Sequence, residues 1–375
     1  MAKKQLQPEK PARKGKSRDD VLAGILDEIR NKHGQGSIMV MGDRSVDLVP
    51  VISTGIMGLD SALGIGGIPR GRVTEFFGPE GSGKTTLALH VLAEAQKKGD
   101  VVAFIDAEHA LNKTLAESVG VSMDTLLLSQ PDSGEQALDI LKRLVSSGAV
   151  GCVVVDSVAA LVPEAELEGQ IGESQLGLQA RMMSFALRQL NALVSKMGCS
   201  VIFINQLRAK INTGYGHGPS ETTTGGRALR FYASVRVEVR RGKSITRGND
   251  TIGHEIIVKV VKNKFAPPFR STLEPLVYGK GVHGVWSLVN SAIESGVIEK
   301  KGSWLQYRGE TLAQGQEKCV EYLEKNPSLM AEIREKILSV GAKAIPSPTK
   351  DVADKKGDGA DNCGSRELDM EKGEE

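Results

Sequence analysis

The stretch Gly78-Pro-Glu-Gly-Ser-Gly-Lys-Thr85 has the residue types and spacing of a phosphate-binding loop, G-x-x-x-x-G-K-T. It follows the apolar run Val73 to Phe77 and precedes a helical pattern opening near Lys84, so strand, loop and helix come in the order the motif requires. Gly78, Gly81 and Gly83 let successive backbone N–H groups point inward around phosphate oxygens, and the helix start adds the positive end of its dipole. Lys84 reaches the β- and γ-phosphates and Thr85 offers its hydroxyl to Mg²⁺. Pro79, Glu80, Ser82 and Thr86 complete the loop and the first helical turn. The chemistry is that of ATP held with Mg²⁺.

Hydrolysis asks for further groups at the same edge of a sheet. Asp156 ends the apolar run Cys152 to Val155, where a carboxylate reaches the Mg²⁺ shell beside the loop; the competing role is a helix cap. Glu108 stands just past another strand, in Phe104-Ile-Asp-Ala-Glu-His-Ala-Leu111, placed to orient and deprotonate an attacking water. An acid after a strand is also an ordinary solvated loop residue. Gln206 follows Val201 to Asn205, and an amide there is placed to sense the γ-phosphate and report it to the next loop; Asn205, or a plain turn role, serves the pattern as well.

These groups need a sheet to hold them. Short apolar runs at Val73 to Phe77, Val101 to Ile105, Leu126 to Leu128, Cys152 to Val155 and Val201 to Ile204 alternate with amphipathic stretches, the rhythm of a parallel sheet with crossover helices. Val235 to Val239 and Ile256 to Val261 alternate like half-buried strands and extend the sheet as hairpins. A smaller α/β unit follows, with helical patterns at Ser287 to Ser295 and Lys318 to Leu338 around a strand candidate, Trp304 to Tyr307. Ahead of the core, Asp19 and Asp20 are placed to cap a helix carrying Val21, Leu22, Ile25, Leu26 and Ile29, which Gly34 stops. That apolar face packs either on its own domain or on another subunit. The domains expected are a basic flexible tail over 1–18, the N-terminal helix and linker over 19–45, the core over 46–283, the small C-terminal domain over 284–342 and a disordered tail over 343–375.

Composition bounds the partners. With 48 Lys and Arg against 46 Asp and Glu, net charge +2, any nucleic-acid surface must come from local clustering. Cys152, Cys199, Cys319 and Cys363 form no C-x-x-C pair, which argues against zinc and against a secreted disulfide scaffold. The basic N-terminus leads into no signal-peptide run, and no apolar stretch is long enough to span a bilayer, so a cytoplasmic location without membrane partners is expected; an organelle transit peptide is the alternative to a solvated basic tail, against which Glu9 and the scarcity of serine speak.

Assembled, the pieces closely resemble the bacterial RecA recombinases. The match runs nearly continuously from about Asp20 to Leu338 and includes Gly78 to Thr85, Phe104 to Leu111, Val154 to Leu161, Phe203 to Gln206, Thr222 to Gly226, Phe231 to Val235 and Val260 to Lys264. The resemblance implies an α/β fold: a RecA-type P-loop ATPase core with a mostly parallel central sheet, an N-terminal helical oligomerisation segment and a small C-terminal α/β domain. It implies a DNA-dependent ATPase that forms a helical homo-oligomeric filament on single-stranded DNA and exchanges strands with homologous double-stranded DNA. LexA-type repressors and recombination mediators are the further partners.

Residue roles follow from the same resemblance. Glu108 becomes the base for water, Asp156 supports the metal and Gln206 couples the γ-phosphate to DNA binding. Lys262 and Lys264 would reach the γ-phosphate from the adjacent subunit; without the family pattern they read as a solvated strand end. DNA-binding loops would span Glu168 to Gly177, with Gly169, Gln175 and Leu176, and Leu207 to Gly226, with Arg208, Lys210, Ile211, Thr224, Gly225 and Gly226. Arg208 and Lys210 meet phosphates, and Ile211 wedges between bases. Arg181 and Arg188, on one helical face, line the same groove or stand as a solvent face opposite Leu178, Met182, Ala186 and Leu190.

The chain departs from the family pattern in places. Leu115 stands where many relatives place a tyrosine against the adenine, and Asn112 where they place an aspartate; Tyr278 beside Gly279 is a second candidate for the base. The loop around Gly214 to Ser220 is about two residues longer than the family's, and the C-terminal tail is of mixed charge, with Lys355, Lys356, Arg366 and Lys372. Three rival functions have less support. A small-molecule phosphotransferase lacks an arginine-rich lid, a ring helicase is disfavoured by the adhesive helix and the lysine pair, and a passive ATP-switched scaffold by Glu108.

Overall fold

The computed structural model describes residues 17–34, 37–38, 49–170, 177–209 and 221–343. Helix α1 (Arg18–His33) lies in a first unit, Met1–Pro50, and Val51 onward forms a second. The cap of α1 is Ser17 rather than Asp19 or Asp20. The Asp20 backbone N–H donates to Ser17 Oγ at 3.2 Å, and the Ser17 N–H donates back to the Asp20 carboxylate at 3.2 Å, a reciprocal capping box. The helix ends at Gly34, as expected. None of its residues is buried, and Val21, Leu22 and Ile25 are about half exposed.

The second unit opens with β1 (Val51–Ile52), α2 (Met57–Leu63) and β2 (Ile68–Pro69), the two strands pairing with each other. The alternating section is β3 (Val73–Gly78), α3 (Lys84–Lys97), β4 (Val101–Asp106), α4 (Lys113–Val119), β5 (Leu126–Ser129), α5 (Gly134–Ser146) and β6 (Val150–Asp156). It continues through α6 (Glu164–Glu168), α7 (Leu178–Met197), β7 (Ser200–Ala209), β8 (Glu221–Thr223), α8 (Ala228–Tyr232) and β9 (Val235–Arg247). Then come β10 (Asp250–Asn263), β11 (Ser271–Val277) and β12 (Gly281–Val282). The sheet order is β12-β11-β10-β9-β3-β7-β6-β4-β5, with β8 on the far end of β7. Strands β9, β3, β7, β6, β4 and β5 are parallel, and β9 to β12 form antiparallel hairpins, as the change from continuous to alternating apolar pattern anticipates.

Alternation along each strand divides the core between the two sheet faces. Val102 and Phe104 join Leu87, Val91 and Leu92 of α3, whereas Ala103 and Ile105 join Leu141 and Val145 of α5. The buried stripe of α7 is Met183, Leu187, Leu190 and Val194, a register displaced from the expected Leu178, Met182, Ala186, Leu190. A third cluster is built by α9 (Gly284–Glu294), β14 (Trp304–Tyr307), β15 (Glu310–Gln314), α10 (Gln316–Glu324) and α11 (Pro327–Lys343), with the exposed β13 (Glu299–Lys301) pairing along β14. The single helical pattern expected over Lys318 to Leu338 is two helices. Pro327 has no N–H to continue α10 and instead takes the first position of α11, where no donor is needed. Among the described residues, no helix is long and apolar enough to cross a membrane.

Candidate nucleotide site and its connections

The register of the parallel strands brings their C-terminal ends to one edge: Gly78 lies level with Gln206, and Asp106 with Asp156. The loop after β3 holds Gly81 and Gly83 at φ 66° and 93°, left-handed conformations that open its backbone toward one centre. A Cβ on Gly78 would lie 1.9 Å from the Val239 carbonyl, so β9 passes too close for any other residue. Lys84 is 7% exposed and donates to the Pro79 carbonyl at 2.7 Å; burial lowers its pKa. Thr85 Oγ1 donates to the Asp156 carboxylate at 2.7 Å, and burial pushes Asp156 up to about 6. Ser82 Oγ is buried without a hydrogen-bond partner. A loop of inward backbone, a buried lysine, an unpartnered hydroxyl and a hydroxyl–carboxylate pair fit a triphosphate with Mg²⁺.

Glu108 is held at the same edge. Asp106 accepts from the Ala110 and Leu111 N–H groups at 3.1 Å each, which folds back the segment after β4, and the Ala107 N–H donates to the Asp156 carbonyl at 2.8 Å. The Glu108 carboxylate accepts from Ser157 Oγ and from Gln206 Nε2, the latter at 2.9 Å. Asn205, fully buried, donates to Glu75 Oε1 at 3.0 Å and to the Thr224 carbonyl at 3.2 Å, and accepts from Thr224 Oγ1 at 2.6 Å. Glu75 is in turn paired with Arg236 at 2.5 Å. Two adjacent residues of β7 therefore face two ways: Gln206 to the carboxylate over the cleft, Asn205 to the segment that closes the loop after β7. The sequence pattern left Asn205 an alternative to Gln206; the structure gives each its own contact.

The cleft beside the loop has a volume of about 320 Å³, and its walls include Thr86, Leu115, His254, Leu276, Tyr278 and Gly279. Leu115 both lines it and packs on the core, so packing and access to the cleft are not exclusive. Asn112 caps α4, its side chain accepting from the Leu115 N–H at 3.0 Å. Tyr278 is half exposed and receives a hydrogen bond from Arg241 at 3.0 Å. His254 and Ser157 were not singled out in the sequence; alternation along β10 marks His254 only as an inward position.

Lys262 and Lys264 make their contacts away from the phosphate loop. Lys262 pairs across the hairpin with Arg236, near the start of β9, and its ammonium donates to the Arg230 and Phe231 carbonyls at 2.6 and 3.1 Å. Burial first, then Lys264 and Arg236, lowers its pKa. Lys264 follows on the same strand end, its N–H donating to the Ser234 carbonyl. Thr224, Gly225 and Gly226 close against the start of α7, where the Gly225 N–H donates to Gln179 at 3.2 Å. Arg181 and Arg188 are exposed on α7, Arg208 is exposed on β7, and Gly169 ends α6. Gln175, Leu176, Lys210 and Ile211 lie outside the described residues.

Two family models match, the RecA N-terminal domain over residues 20–283 and the RecA C-terminal domain over 287–340. Protein RecA of Thermus aquaticus is 54% identical over 325 residues, 86% of this chain and 95% of its own length. Protein RecA of Streptomyces coelicolor is 50% identical over 343 residues, 91% of each chain. Among solved structures, the RadB recombinase is similar at TM-score 0.46 and 24% identity, covering 62% of this chain and 98% of that one. Matched by both domain models and sharing about half its residues with such relatives along nearly their whole length, this chain belongs to the RecA family.

Proposed function

We propose that this chain is a DNA-dependent ATPase that polymerises as a helical filament on single-stranded DNA and exchanges strands with homologous double-stranded DNA in recombinational repair, in the cytoplasm. The observation that carries it is the pair Gln206 and Asn205. One residue is hydrogen-bonded to Glu108, the candidate base, and the next to Thr224 at the foot of the loop after β7. A γ-phosphate drawing Gln206 away from Glu108 moves the strand end from which that loop leaves, so ATP and DNA occupancy are linked through two neighbouring side chains. Glu108 orients and deprotonates water. When bound, Mg²⁺ supplies charge neutralisation on the phosphates, with Thr85 and Asp156 as its holders. The apolar stripe of α1 offers the contact to a second copy, and the exposed cations Arg181, Arg188 and Arg208 offer contacts to DNA phosphates. Stimulation of LexA-type repressor self-cleavage and contacts with recombination mediators belong to the same proposal and rest on the family alone.

Lys262 supports a shared site, because inside one chain it is bonded to the end of α8 and not to the phosphate loop. A Lys84→Ala chain and a Lys262→Ala chain should each be inactive alone, and mixed on single-stranded DNA they should recover part of the phosphate release. Absence of recovery in co-assembled filaments places Lys262 in cis and removes the shared-site part of the proposal. No DNA stimulation of phosphate release by the parent protein removes the whole.

A further inference from the structure

His254 carries an unmet demand at the wall of the nucleotide cleft. Its side chain is 3% exposed, and neither Nδ1 nor Nε2 has a hydrogen-bond partner. A buried imidazole leaving both nitrogens unpaired forfeits the hydrogen bonds it had in water, so such a group at a ligand cleft calls for a partner brought by the ligand. Its position comes from the hairpin. His254 pairs across with Leu276 of β11, and a bulge between His254 and Ile256 turns this stretch of β10. A Cβ on Gly83 would meet Leu276 at 2.8 Å and Ile256 at 3.4 Å, so the phosphate loop presses on the residues flanking the histidine. Its ring stands 5.6 Å from that of Tyr278, tilted by 52°, with Leu115 as the apolar member of the same wall.

We propose that His254 is a base-contacting residue, hydrogen-bonding the purine through a ring nitrogen and adding affinity for the base in this cleft. The proposal rests on reading the cleft as a nucleoside triphosphate site. The phosphate loop takes the anionic end of such a ligand, and the walls beyond it, Leu115, His254 and Tyr278, take the other end. A neutral imidazole has one donor and one acceptor, and tautomer exchange lets either nitrogen serve either role. Burial and the nearby Arg241 hold the pKa of His254 below the ordinary histidine value, which keeps an acceptor available at neutral pH. It can accept from a 6-amino group or donate to a 6-oxo group, so the residue adds affinity for purines while separating ATP from GTP only weakly.

The test is a set of titrations of the full chain with Mg²⁺ and three ligands: ATP, ribose 5-triphosphate and inorganic triphosphate. His254→Leu is expected to weaken ATP by roughly 3- to 10-fold, the range of one hydrogen bond, and to leave the other two within about twofold. Equal weakening of all three ligands, parallel weakening of ATP and the ribose compound, or no change overturns the base contact. Lys84→Ala should lose all three, and ATP binding that survives it brings down the triphosphate reading itself, independently of His254. Should His254→Leu show no cooperative thermal transition, ¹⁵N-labelled imidazole resonances of the parent protein decide. A His254 shift with ATP and not with inorganic triphosphate supports the contact, and identical responses overturn it.

Discussion

Asp156 and Glu274 are both buried acids on strands of one sheet, and burial raises the pKa of both, to about 6 and about 7. Their surroundings differ. Asp156 opens on the cleft, accepts from Thr85 and has Lys84 beside it. Glu274 sits at the seam of α2, β11 and α9, fully buried. It accepts from Thr272 at 2.6 Å with Ser287 nearby, its Oε2 is unpartnered, and the charges facing it, Glu294 and Asp60, are acidic like itself. Space there is so tight that a Cβ on Gly58 would lie 2.0 Å from its carboxylate. The same desolvation penalty thus has two meanings. At the cleft it is one that a cation bound there would offset; at the seam the charges that bear on it among the described residues are acidic, and the proton itself relieves it.

The comparison sharpens first at Glu108, whose charge helps to raise Asp156. Glu108→Gln should slow ATP hydrolysis about 10²–10⁴-fold, the usual effect of losing a general base, while filaments on DNA persist. Near-normal phosphate release in that variant takes Glu108 out of the reaction and leaves it a mere neighbour of Asp156.

Asp156→Asn removes the carboxylate charge beside Thr85 while leaving an amide oxygen that can still accept from its hydroxyl. Mg²⁺-dependent ATP affinity should fall about 10- to 100-fold, the range for partners that orient a metal ligand, while the melting temperature without nucleotide holds or rises. A variant that melts earlier and binds Mg²⁺-ATP normally would reverse the roles assigned to the two acids.

The smallest effect is at the seam. Between the ordinary value of 4.5 and its folded value near 7, Glu274 holds more protons in the folded chain than in the unfolded one, so its contribution lowers stability as pH rises through that window. Glu274→Gln should therefore stabilise by roughly 2–3 kcal/mol at pH 8 and by little at pH 5, with ATP binding unchanged. His90, lowered to about 4, acts in the opposite sense below about pH 6.5, so the informative quantity is the difference between variant and parent at each pH. A variant offset that is the same at both pH values means that Glu274 does not titrate in this range.

Legibility in the sequence followed the range of the interactions. The phosphate loop, the strands from Val73 to Ile204 and the small strand Trp304–Tyr307 were readable because local backbone demands and apolar runs announce them. The N-terminal cap lies two and three residues ahead of Asp19 and Asp20, because Ser17, Asp19 and Asp20 are all capping types and only the closed box with Asp20 selects Ser17. The split at Pro327 was readable in principle; the apolar spacing of Lys318 to Leu338 masked a first-turn proline.

The sequence by itself determined the nucleotide chemistry and the alternation that builds the sheet, since both rest on residues within a few positions of one another. Only the tertiary structure decided which long-range pairs share an edge: Thr85 with Asp156, Glu108 with Gln206, Asn205 with Glu75 and Thr224, and His254 at the wall with Leu115. Each of these pairs is set by strand order, register and a bulge, and those follow from how buried faces pack together, a property of the assembled core that no single segment carries.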